Sequence, residues 1–192
     1  MSTRVRLALA FAAGLAVLTA CMGDGSTLVM AGDDPGEFGV AAPATKPGQP
    51  YSFGGIMLCV KGKGHVTIDR IDVIRPSGGA RAQSFATRPN QWKLGKDGYG
   101  AGNEKLSAVE FSPDRPATVD KTCEGKKKSA STGSVELGVE MSKTANETAG
   151  GNGLRVRYSS GGERGELVIP FVFLLCSAGD TKTDECRSPK TG

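Results

Sequence analysis

The sequence predicts an all-β fold: an immunoglobulin-like antiparallel β-sandwich of about seven or eight strands, with a small β-barrel as the alternative. Three observations carry this. Several runs alternate apolar and polar residues at period two. Gly, Pro, Asn and Ser separate those runs at short intervals. Beyond the N-terminal segment, no stretch places apolar side chains at i, i+3, i+4 and i+7 over three turns, which argues against a βαβ architecture.

The elements follow in order from Tyr51. FGGIMLCV is a short apolar run between Gly-rich turns. HVTIDRIDVIRP, from His65, sets Val66 and Ile68 on one face, then Ile71 and Val73 on the other parity, so a bulge is expected near Asp69-Arg70. GARAQSFATRP and EKLSAVEFSP are weaker strand candidates, and ATVDKTC reads as a short strand or extended edge. SVELGVEMSK is the clearest strand: Val135, Leu137, Val139 and Met141 alternate with Glu136, Gly138, Glu140 and Ser142, one face for the core and one for water. GLRVRYSS repeats the pattern, and residues 154–159 with 166–175 read as a hairpin. Pro170 cannot donate to a ladder, so the second strand is expected at an edge or bulged there.

Upstream, residues 1–20 have the parts of an export signal. Arg4 and Arg6 precede the apolar run Leu7–Leu18, and small residues follow. That run is shorter than the roughly 20 residues a membrane-crossing helix needs. Leu18-Thr19-Ala20-Cys21 then resembles the lipobox of bacterial lipoprotein precursors. The resemblance implies a diacylglyceryl group on the Cys21 sulfur, cleavage just before Cys21, and an address on the extracytoplasmic face of the cell membrane. Two acyl chains make a stable anchor, where one is marginal. The layout is similar to that of the small secreted β-domains behind lipobox leaders in Gram-positive, particularly actinobacterial, proteins. The expected organisation is a signal peptide over 1–20, a flexible tether over 21–50 rich in Gly, Pro, Ala and Asp, the sandwich over 51–176 and a polar C-terminal tail over 177–192.

With Cys21 given to the lipid, Cys59, Cys123, Cys176 and Cys186 remain, an even set that in an exported chain suggests two disulfides. Three pairings are open; Cys59–Cys123 with Cys176–Cys186 is favoured, because the second bond would staple the polar tail to the last strand. The formal net charge of +4 falls to +2 once Arg4 and Arg6 are removed, so no nucleic-acid partner is implied. Lys126-Lys127-Lys128 is the one strong basic run and reads as a solvated loop, with contact to anionic headgroups or cell-wall polymers as the alternative.

Chemistry-bearing constellations are sparse. His65 is the single histidine, at the start of a strand candidate, and no GxSxG elbow accompanies it. A hydrolase built on His65 is therefore the disfavoured alternative. Met57, Met141 and the cysteines are not spaced as a soft-metal site. Asp97, Asn103 and Glu104 supply oxygens without an EF-hand pattern. Neither metal nor cofactor is expected. Trp92 and Tyr99, in RPNQWKLGKDGYGAG, make loop 88–104 the candidate binding loop. The functional expectation is a membrane-anchored, non-catalytic binding or interaction module. It would meet the membrane through the lipid on Cys21 and a cell-surface protein or glycan through that loop; a structural envelope protein is the alternative.

Overall fold

The structure, a computed structural model, describes residues 25–31, 38–90, 100–123 and 133–187. Twelve strands lie in these residues: β1 (Thr27–Met30), β2 (Phe38–Ala42), β3 (Tyr51–Lys61), β4 (Val66–Val73), β5 (Arg81–Pro89), β6 (Ala101–Gly102), β7 (Ala117–Val119), β8 (Val135–Ser142), β9 (Ala149–Gly151), β10 (Leu154–Ser160), β11 (Glu163–Ile169) and β12 (Phe171–Leu175). One sheet runs β1-β3-β8-β5, with β6 also on β3; a second runs β11-β10-β4-β7; a third, smaller one runs β2-β12-β9. Among the described residues the sheets do not close into a barrel, and the fold is an all-β sandwich.

The core lies between the two larger sheets. Leu137, Val139 and Met141 of β8 meet Val156 and Leu154 of β10 and Ile68 of β4 in one buried cluster. Phe53, Phe171 and Phe173 close its upper end, with the Phe53 and Phe171 ring centroids 4.3 Å apart. The bulge expected in β4 is present: Arg157 pairs with Arg70 and Tyr158 with Ile68, leaving Asp69 as the extra residue. Two disulfides are formed, Cys59–Cys123 across 64 residues and Cys176–Cys186 across 10. The first is flanked by Val60 N–H donating to Lys121 O at 2.8 Å and Cys123 N–H donating to Val60 O at 2.9 Å.

Four expectations are corrected. Residues 21–50 are not tether throughout, since β1 pairs with β3 from Thr27↔Lys61 to Met30↔Leu58 and β2 pairs in parallel with β12. Edge pairing satisfies the backbone of segments too short to show a period. The run 104–113 is not a strand but carries a 3-10 turn, Leu106–Val109. Pro170 does not bulge one strand; it divides the apolar run into β11, at the edge of one sheet, and β12, in the centre of another. The hairpin itself stands as β10 and β11, turned by Gly161 and Gly162 with φ of 58° and 88°. Both turn positions need positive φ, which glycine adopts without steric cost.

The fourth correction concerns β8. All eight of its residues are buried, including those assigned to water. The segment from Leu106 to Phe111 covers its outer face, where Leu106, Phe111 and Ala86 form a second small apolar cluster. Under this flap Glu136, fully buried, accepts from Arg88 Nε at 2.8 Å and from Gly55 N–H at 2.8 Å. Arg88 Nη1 donates to Val109 O at 2.9 Å, and its guanidinium lies 4.4 Å from the Phe111 ring centroid. Leu106 N–H donates to Glu140 Oε2 at 3.1 Å. Glu136 thus has an arginine and a backbone amide beside it and Glu140 a backbone amide of the flap, so neither buried carboxylate lacks a hydrogen bond.

Gly138 is the close-approach point: a Cβ there would lie 2.7 Å from Phe111 and 2.8 Å from Leu106. Gly138→Ala is expected to lower stability by about 1–3 kcal/mol through overpacking, measured by urea unfolding. An unchanged midpoint would mean that the flap is not packed on this strand.

Candidate functional site

A cleft of about 410 Å3 opens along one side of the sandwich, between β4 and β5. Its position follows from the unequal lengths of neighbouring strands. β7 covers only Val66–Ile68 of β4, so the edge of β4 from Asp69 to Val73 has no strand beside it among the described residues. β5 ends the other sheet and pairs only with β8. Near Thr87 the two sheets are tied, because Thr87 Oγ1 donates to Thr118 O at 3.1 Å. Beyond this tie the cleft opens, bordered by the two unpaired strand edges.

The walls combine both charge signs with an apolar floor. Phe85 is half-buried against the core, and Gln83 stands in the bulge of β5 between Ala82 and Ser84. Arg81 lines the mouth from β5, and Asp69, Arg70 and Asp72 line it from β4. Arg70 Nε donates to Asp72 Oδ1 at 2.6 Å, and Asp69 Oδ1 accepts from Ser159 Oγ at 3.0 Å. Asp72 Oδ2 is buried and takes no hydrogen bond, with Arg157 Nη2 3.7 Å away.

A different polar centre lies where β8 ends. Lys143 is fully buried, and its Nζ donates to Glu147 O at 2.9 Å and Leu175 O at 3.1 Å. Gly48 N–H donates to Lys143 O at 2.9 Å, so this residue joins the end of β8 to the loop after β2 and to β12. Thr148 Oγ1 donates to Asp180 Oδ2 at 2.6 Å and accepts from Ser177 N–H at 3.0 Å. Burial holds the Lys143 ammonium below the ordinary lysine value of 10.5, against the opposing pull of the Asp180 and Glu147 carboxylates. Hydrogen bonds from Thr148 and Ser177 hold the Asp180 carboxyl below its ordinary range, helped by the Lys143 charge. Burial also raises the Tyr51 hydroxyl.

The residues singled out from sequence do not converge. His65 is exposed at the foot of β4; its backbone O accepts from Ser160 Oγ at 2.8 Å, and its ring hydrogen-bonds no described residue. Met57 is opposite Glu136 on the flap side of β3, whereas Met141 faces the core. Asn103 and Glu104 are exposed. Cys21, Trp92, Tyr99, Asp97 and Lys126–Lys128 lie outside the described residues. Sequence reading missed the cleft and Lys143. The phase switch at Asp69-Arg70 was the one signal of the cleft, and nothing in SVELGVEMSK marks its last lysine as buried.

Lys143 makes stability depend on pH with a definite sign. The unfolded lysine keeps its proton to about 10.5, while the folded one releases it at lower pH. Between those two values the unfolded chain holds more protons, so stability rises with pH. The stability difference between wild type and Lys143→Met, from urea unfolding at pH 7 to 10, is therefore expected to shift in favour of wild type as pH rises. A flat or opposite trend would contradict the burial of this ammonium.

No protein family matches this chain, and no curated protein matches it as a relative.

Proposed function

We propose that the chain is a lipid-anchored extracytoplasmic binding domain without catalytic apparatus, and that it takes an extended segment of a partner protein into the cleft between β4 and β5. The observation that carries this reading is the pair of unpaired strand edges facing one cleft. Free backbone N–H and C=O groups on a sheet edge are met by another polypeptide added as a strand, while pockets beside the edge select side chains. Phe85 offers an apolar floor, and Arg81 and Asp69 offer charges of both signs at the mouth. A glycan is the weaker fit, since the described cleft presents no exposed ring on which a sugar could stack.

The lipid anchor rests on Leu18-Thr19-Ala20-Cys21 behind the apolar run, and the two disulfides accord with an oxidising compartment. The two disulfides pair Cys59, Cys123, Cys176 and Cys186 with one another and do not use Cys21.

A photo-crosslinking amino acid at Gln83, expressed in the native host, tests the cleft. A discrete heavier species is expected from Gln83 and not from the same probe at Asn146, and Phe85→Ala should reduce its yield severalfold. No discrete species, or equal yield from both positions, would contradict the reading.

A further inference from the structure

Resting on the lipid-anchor reading, we infer that the pole of the sandwich carrying Lys61 and Lys63 seats against the anionic headgroups of the membrane that holds the lipid. Two independent features meet at that pole. One is the place where the chain joins the fold. Ser26 N–H donates to Ser160 Oγ at 3.0 Å, and that hydroxyl donates to His65 O at 2.8 Å. Thr27 then pairs with Lys61. The anchor point is therefore fixed beside the β3–β4 loop. From Cys21 to Ser26 the backbone spans five residue steps, at most about 18 Å even fully extended. A lipid on Cys21 cannot be far from this pole.

The other feature is charge. The β3–β4 connection reads KGKGH, and all of Lys61, Gly62, Lys63, Gly64 and His65 are exposed. Among the described residues neither Lys61 nor Lys63 has an ion-pair partner. Lys121 is brought to the same pole by the Cys59–Cys123 bond and the Val60–Lys121 backbone bond. Its ammonium pairs with Asp120 at 3.5 Å, and the Glu163 carboxylate lies beside Gly25, so the unopposed cations are those of the loop. Gly62 and Gly64 turn that loop, with φ of 106° and 131°.

Cations within a Debye length of about 8 Å gain from a negative bilayer surface, and each lysine contributes roughly a fivefold bias. A short tether supplies that proximity at no further entropic cost. The seat leaves the cleft between β4 and β5 on the flank of the domain, open to a partner on the same membrane.

The test uses the mature chain extracted from its native host, its acyl adduct checked by intact mass, floated with vesicles of phosphatidylcholine alone or with phosphatidylglycerol. Each amine is labelled with an impermeant acylating reagent and read by peptide mass spectrometry. Labelling of Lys61 and Lys63 is expected to slow roughly fivefold on the anionic vesicles and to recover at high salt. Lys46 and Lys182, at the Lys143 end, should label alike on both. Equal labelling of Lys61 and Lys63 on the two bilayers, in protein that floats, overturns the seating while leaving the anchor intact. Protein without an acyl adduct that fails to float overturns the anchor, and the seating with it.

Discussion

The architecture depends on burying β8 on both faces. A sheet strand ordinarily satisfies one face with core and the other with water. Here the second face lies beneath the flap, so its charged side chains must find partners inside the protein. Glu136 does so through Arg88 and Gly55, and Glu140 through the Leu106 amide. Such a buried ion pair adds little net stability over an apolar equivalent, yet removing one partner costs about 3–5 kcal/mol. Its role is specificity: Arg88 also reaches Val109 O and the Phe111 ring, so one guanidinium joins β5, β8 and the flap in a single register.

The two ends of β8 then define two different poles. Where it ends, Lys143 gathers carbonyls from β12 and from the Glu147 loop, and the Cys176–Cys186 bond closes the tail over this region. Where it begins, Val135 pairs with Leu58, close to the point at which the first strand, the Cys59–Cys123 bond and the exposed lysine loop come together. One pole is locked by buried polar groups, and the other holds the point where the first strand enters the fold. Between them the flank is left unsealed because β7 has only three residues, with Pro116 just before it. An unpaired edge is an aggregation hazard in a free protein. The exposed Arg81, the bulge at Gln83 and the charged residues of β4 blunt it while leaving backbone groups accessible.

The sheet content was legible wherever a strand alternates over six or more residues. β8, β10 and the bulged β4 were all visible, because burial on one side imposes period two. β1 and β2 were not, since four or five residues carry no measurable period and owe their order to neighbouring strands. The flap was misread for a related reason. Leu106, Val109 and Phe111 have a strand-like apolar density, but they serve a 3-10 turn laid across a sheet. Glu136 and Glu140 looked solvent-facing because alternation reports two faces without saying what covers each. The disulfide set was legible as four cysteines, but its pairing depends on which strands meet. The cleft was out of reach, since it arises from a mismatch of strand lengths across two sheets.

The functional proposal rests on a lipid at Cys21, because that bond would decide where the domain is held and which pole faces the membrane. Intact mass of the protein extracted from membranes of its native host, alongside a Cys21→Ser variant, tests this most directly. The account predicts the mass of residues 21–192 plus a diacylglyceryl group, with the variant no longer held in the membrane. Unmodified protein released into the medium would contradict it and make this a diffusible secreted domain.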